Sequence, residues 1–237
     1  MKATKGGNFT PIPLPEPQTV IARCYSVVDI GTVKNIYKGE DKGYQRKLYI
    51  TWEFPTLLAI FNPEKGEEPF VIGSELTAST GTNSNFAKLI AQWRGKPLTI
   101  EEQQGFDPMQ MVGKTAFISF IHKTRKDFVG QEIKVPTNEN TNLKFLGIMP
   151  KPKNIEAPPA RNKYMIWDWD LVAAEGFEKH KATFEKIPKW LQKKVAESKE
   201  FQQYSGGYKL AGNDDQEETS STPAPAAQAP KTTNDEW

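Results

Sequence analysis

The chain has 237 residues, of which 37% are hydrophobic and 25% charged, with a single cysteine, Cys24. That length admits one good-sized domain with appendages or two small ones. One thiol excludes an intramolecular disulfide and fits a reducing compartment, and no apolar run reaches the length of a membrane span. The net charge of +2 conceals a division: residues 213–237 hold six acids against Lys231, a net −5, so the remainder carries +7. Such asymmetry predicts a body that faces a polyanion or membrane surface, and an acidic interaction tail. Residues 1–17 are rich in Gly and Pro and lack the apolar block of a secretory signal, so the expected location is cytosolic.

In chain order, residues 1–18 read as a flexible, Pro-rich arm. Pro11, Pro13, Pro15 and Pro17 forbid helix and favour an extended path. Residues 19–33 predict a first strand, with the small residues Val20, Ala22, Cys24, Ser26 and Val28 on one side. Ile21, Arg23, Tyr25, Val27 and Asp29 fall on the other. A basic loop over 34–43 leads to a second strand, 44–54. There Leu48, Ile50, Trp52 and Phe54 alternate with Lys47, Tyr49, Thr51 and Glu53, and Pro55 is expected to stop it. A third strand is predicted over 69–77. A helix over 83–93 follows, with Phe86, Leu89, Ile90 and Trp93 on one stripe and Gly95 as its stop. Thr99 and Asp107-Pro108 mark short helical turns. A fourth strand (115–122), a polar insertion (123–141) and a fifth strand (142–149) complete the body.

Five strands with a helix between the third and fourth predict a mainly β protein built on an OB-like barrel, residues 19–150. A C-terminal extension, 151–210, is expected to add a strand near 163–172 and amphipathic helix over 177–204, broken at Pro188. Residues 211–237 are dominated by Ser, Thr, Pro, Ala and acids and predict a disordered acidic tail.

Catalytic patterns are sparse. The two histidines, His122 and His180, together with Cys24 do not supply a metal site at a standard spacing, and no phosphate-binding loop occurs. Asp168, Asp170 and Glu175 are the best carboxylate group and raise the alternative of a Mg²⁺-dependent nuclease. The bland reading places Asp168 and Asp170 on the polar face of a strand whose other face is Trp167 and Trp169. Trp52 and Trp93, on apolar stripes, are assigned to the core.

Binding patterns are richer. Holding an unpaired nucleic-acid strand requires cations along the phosphates and flat rings for the bases. The outer faces of the first two strands offer Arg23, Tyr25, Tyr44, Arg46, Lys47 and Tyr49. The first loop offers Lys34, Tyr37 and Lys38, and the loop after strand four offers Lys123, Arg125, Lys126 and Phe128. In the tail, Asp235, Glu236 and Trp237 form an acidic tip closing on an aromatic ring, suited to an apolar pocket rimmed by a partner's basic groups. The same tail could lie on the body's own cations and compete with DNA. A third alternative is an adaptor whose barrel binds protein.

Together these features resemble the single-stranded DNA-binding proteins of bacteria and tailed phages. The body also resembles a family of phage-encoded proteins found among replication and recombination functions. The stretches that carry this likeness are Ala22-Arg23-Cys24-Tyr25 with Val28-Asp29-Ile30-Gly31-Thr32, Trp93-Arg94-Gly95-Lys96-Pro97 with Gly105-Phe106-Asp107, and Val112-Gly113-Lys114. The resemblance spans residues 19–150 and the tail. It implies single-stranded DNA binding in the host cytoplasm without catalytic residues or cofactor, and recruitment of replication or recombination proteins by the tail. The tail closes on Glu236-Trp237 where the usual bacterial ending is Pro-Phe, which leaves the partner's identity open.

Overall fold

The computed structural model describes residues 14–126, 129–134 and 143–210. Among the described residues eight strands and six α-helices succeed one another: β1 (Gln18–Tyr37), β2 (Glu40–Asn62), β3 (Gly66–Thr77), α1 (Asn85–Arg94), α2 (Ile100–Gly105), β4 (Thr115–His122), β5 (Thr124–Lys126), β6 (Glu132–Lys134), β7 (Leu143–Met149), β8 (Met165–Trp167), α3 (Trp169–Glu175), α4 (Phe177–Phe184), α5 (Lys189–Ala196) and α6 (Lys199–Tyr204). The chain is mainly β. Its principal sheet has six strands, ordered β3-β2-β1-β4-β7 through antiparallel pairs, with β8 added parallel to β1. Among the described residues no ladder joins β3 to β7, so the sheet is not closed into the expected five-stranded barrel. No described helix is long and apolar enough to cross a membrane.

β1 organises the molecule because different stretches of it meet different partners. Gln18 to Arg23 pair with β4, Arg23 to Tyr37 with β2, and Ser26 to Val28 with β8. Bends at register shifts make this possible. One shift falls between Cys24 and Ser26, where Tyr25 is the extra residue. A bulge leaves one residue unpaired and exchanges the faces beyond it. Val27 therefore joins Ala22 and Cys24 in the main core, while Val28 turns to the opposite side. This corrects the strict alternation expected for residues 19–33. Pro55 likewise does not end β2. A register shift between Phe54 and Leu58 absorbs it, and the strand runs on to Asn62.

Two cores flank the sheet. The first gathers Trp52, Phe54, Phe70 and Ile72 with the α1 stripe Phe86, Leu89, Ile90 and Trp93. Ser84 caps α1, Gly95 ends it at φ 72°, and Trp93 Nε1 donates to the Thr115 carbonyl at 2.8 Å. The second core packs Val28 and Ile30 of β1 beneath Trp167, Trp169, Phe177, Phe184, Leu191 and Phe201. The C-terminal extension is therefore a built part of the body. The strand expected at 163–172 is only Met165–Trp167. Asp168 then caps α3 by accepting from the Asp170 N–H at 2.9 Å. The helix expected over 177–204 is three helices, with Pro188 at the start of α5.

The linker from β7 to β8 returns across the outer side of β1 and β2. Arg23, 8% exposed, donates to the carbonyls of Gly113 (2.8 Å) and Pro158 (2.9 Å). Its cross-strand neighbour Glu53, fully buried, accepts from the backbone N–H groups of Arg161 (2.9 Å) and Asn162 (2.7 Å). The described end of the N-terminal arm is also docked. Leu14 packs on the first core and His122 Nε2 donates to the Pro15 carbonyl at 2.6 Å.

Candidate nucleic-acid interface

The β1–β2 hairpin turns at Lys38 (φ 52°) and Gly39 (φ 81°), with Tyr37 opposite Glu40. Lys34 and Tyr44 are direct partners across this ladder, so their side chains emerge on one face. The Tyr44 ring is 57% exposed, and Lys199 Nζ, from the first turn of α6, lies 3.5 Å from its centroid. Lys34 pairs with Asp41 at 3.1 Å and Lys42 with Glu40, all four side chains being largely exposed. Hydrogen bonding from the Gly43 N–H and from Lys34 holds the Asp41 carboxyl below its ordinary range. Exposed pairs of this kind contribute little and are screened by salt, so phosphates can replace the acids without much loss.

Deeper along the same strands the cations are engaged. Arg46 grips the buried Asp29 through two guanidinium nitrogens, with Nε at 2.9 Å, and reaches Asp170 at 2.9 Å. Burial raises the pKa of Asp29, partly offset by Arg46. Lys47 Nζ donates to Thr77 Oγ1 at 3.2 Å. Tyr49 lies edge-on to Trp190 of α5, with ring centroids 5.0 Å apart, and against the bare backbone of Gly73. Burial, then the Glu75 carboxylate, raises its phenol pKa. Tyr25 is half-buried in the bulge, and its phenol is pushed up by burial and by Glu53.

Of the six residues expected on the outer faces of the first two strands, only Tyr44 is largely exposed. Arg23 is held under the returning linker, Arg46 and Tyr49 meet the C-terminal helices that bury Val28 and Ile30, Lys47 is held by Thr77 of β3, and Tyr25 is half-buried in the bulge.

Lys123 and Lys126 are exposed at the β5–β6 hairpin. Arg125 pairs through its backbone with Ile133, but its side chain, like that of Tyr37, lies outside the described residues, as do Phe128 and the tail residues Asp235, Glu236 and Trp237. β4 runs antiparallel to the start of β1, whereas the β1–β2 hairpin leaves from its end. The two basic loops thus sit at opposite ends of a 20-residue strand.

The three acids of the nuclease alternative are individually occupied. Asp168 caps α3, Asp170 pairs with Arg46, and Glu175 holds Lys179 (2.6 Å) and His180 (3.0 Å). Among the described residues no group of three His, Cys, Asp or Glu side chains is placed to hold a metal ion. Cys24 is buried and its thiol pKa is raised by that burial.

Sequence reasoning missed Lys199 and Trp190. Nothing local ties Lys199 to Tyr44, 155 positions away in the sequence. The run Lys189-Trp190 followed by Lys193-Lys194 is a visible signal, since it interleaves cations with a ring. Comparison with protein-family models, with curated proteins and with solved structures finds no match.

Proposed function

We propose that this protein binds single-stranded DNA without catalysing a reaction on it, in the cytosol, and that its acidic tail recruits replication or recombination proteins. The observation that carries this reading is the exposed Tyr44 ring, beside its cross-strand partner Lys34 and under Lys199 Nζ. Ring and cations stand on one surface at the hairpin where an OB-type body takes its ligand. The strand succession supports the same reading. The order β3-β2-β1-β4-β7, with α1 between β3 and β4, is the order an OB-type body would have, although among the described residues β3 and β7 are not paired. Net charge adds to it, with +7 on residues 1–212 and −5 beyond. The separate engagement of Asp168, Asp170 and Glu175 favours binding over cleavage.

The test is a titration of labelled oligo-dT by fluorescence anisotropy at two salt concentrations, with and without Mg²⁺. A complex that weakens with salt is expected, because phosphate neutralisation releases counterions, and the oligonucleotide should remain intact. Absence of a complex in dilute buffer would overturn the reading. Mg²⁺-dependent cleavage lost in Asp168→Ala would establish the nuclease instead, and salt-independent behaviour without oligonucleotide binding would favour an adaptor.

A further inference from the structure

Resting on the reading above, we infer a second contact for the unpaired strand on α5: Trp190 as a stacking platform, flanked by Lys189, Lys193 and Lys194 as phosphate contacts. The helix divides cleanly. Leu191, Gln192 and Val195 are buried, while Lys189, Trp190, Lys193 and Lys194 are exposed. Residues three and four apart on a helix are surface neighbours, so Trp190 borders both Lys193 and Lys194, and Lys189 borders Lys193. No acid occurs between Lys186 and Lys194. Lys194 is tethered, with Nζ 5.9 Å from the Trp190 centroid and 2.5 Å from Glu75.

The ring itself is the more telling feature. Trp52, Trp93, Trp167 and Trp169 are each at most 1% exposed, whereas Trp190 is 46% exposed. It is not loose, because its edge-on contact with Tyr49 fixes it to β2. A ring held rigidly, open to solvent and bordered by cations suits a base and its flanking phosphates. An apolar protein partner would need a wider uncharged surface around it. The two contacts are linked by sequence through the C-terminal helices, since α6, which places Lys199 on Tyr44, follows directly on α5, which carries Trp190. Tyr44 and Tyr49 are an odd number of residues apart on β2 and leave opposite faces of the sheet, so Trp190 is a separate contact from Tyr44.

The exposure pattern supplies the probe. The full chain carrying Trp237→Phe retains Trp190 as its one exposed tryptophan among the described residues. Saturating oligo-dT should quench its emission, and Trp190→Phe in the same background should remove that quenching. By anisotropy, Trp190→Ala should weaken oligo-dT binding by roughly 5- to 150-fold. Lys189→Gln with Lys193→Gln, both outside the packed core, should lower the slope of log K against log salt by about 1.4, two single-strand phosphate contacts. If oligo-dT binds as expected but neither quenches Trp190 nor weakens in either variant, the α5 contact is overturned and the hairpin reading stands. That outcome also covers a patch reserved for an acidic protein segment. If oligo-dT fails to bind the unaltered chain at all, both readings fall.

Discussion

Arg23 and Glu53 face each other across the β1–β2 ladder, and each holds the same returning segment, Arg23 at Pro158 and Glu53 at Arg161 and Asn162. The two charges are buried together, and the two terminal nitrogens of Arg23 and both carboxylate oxygens of Glu53 bond backbone groups that would otherwise be unsatisfied under the linker. The polar pair therefore acts as a strap between the sheet and the C-terminal extension.

Arg23→Ala is expected to cost about 3 kcal/mol, because it strips the Gly113 and Pro158 carbonyls of a donor and leaves Glu53 buried without its cation. Urea unfolding of the two proteins measures this. In a double-mutant cycle with Glu53→Gln the penalties should not add. Strict additivity would show that the two side chains act independently.

Gly73 and Tyr49 make a second coupled pair. A Cβ at Gly73 would lie 2.2 Å from the Tyr49 hydroxyl and 2.5 Å from Cζ. Gly73→Ala therefore forces the ring, and Trp190 above it, to move, at an expected cost of about 1–3 kcal/mol. Combined with Tyr49→Ala, the same change should cost far less, since the obstructing ring is gone. Thermal melts of both single variants and the double variant decide this. Equal penalties in both backgrounds would mean the backbone itself resists the methyl group.

Glu102 gives the clearest pH signature. Its carboxylate takes two hydrogen bonds from Arg94, at 2.6 and 3.0 Å, and one from the Thr99 N–H at 2.8 Å, closing the cap of α2. Arg94, then the Thr99 N–H, pulls its pKa from 4.5 down to about 2. A lowered folded-state pKa means the stabilisation is present above the unfolded value of 4.5 and is lost as pH falls through about 2. Melting temperatures of the unaltered chain and Glu102→Gln should therefore differ most above pH 4.5 and converge toward pH 2. A gap that stays constant across this window would show that the carboxylate's charge is not what Arg94 reads.

The stripe Phe86, Leu89, Ile90 and Trp93 identified α1 from sequence because all four bury against one sheet, and the alternation of Leu48, Ile50, Trp52 and Phe54 located β2 for the same reason. Local pattern failed where the backbone departs from regular geometry. The bulge at Tyr25 reverses which residues of β1 face inward, and the shift after Phe54 carries β2 past Pro55. It failed again where two elements share a short run. Trp167 and Trp169 alternate like strand residues, yet Asp168 between them ends β8 and caps α3. The site suffered most, because whether Tyr49 is open depends on Trp190, 141 positions later in the sequence. The exposure of Lys34 and Tyr44, on a hairpin whose partners are near in sequence, was legible in the local pattern.

That difference separates the two tyrosines experimentally. Tyr44→Ala should weaken oligo-dT binding by about 1–3 kcal/mol, the worth of one stacking ring, with little change in melting temperature, since the ring is largely exposed. Tyr49→Ala removes the floor under Trp190 and should lower the melting temperature. Oligo-dT affinity unchanged in Tyr44→Ala would remove Tyr44 from the interface.

Removal of residues 213–237 takes away six acids and one base, raising the net charge of the chain from +2 to +7. An acidic segment tethered to a cationic body competes with phosphates for the same groups, so the shortened chain should bind oligo-dT as tightly as the full one or tighter. The gain should be largest in dilute buffer and fade near physiological salt, where charges interact over only about 8 Å. Recruitment should behave in the opposite way. If Trp237 enters an apolar pocket of a replication protein while Asp235 and Glu236 meet its basic rim, Trp237→Ala alone should abolish capture of that protein and leave oligo-dT affinity unchanged. Both quantities can be measured on the same three proteins, by anisotropy and by pull-down. Weaker oligo-dT binding after the deletion would contradict competition and place the tail among the groups that hold DNA.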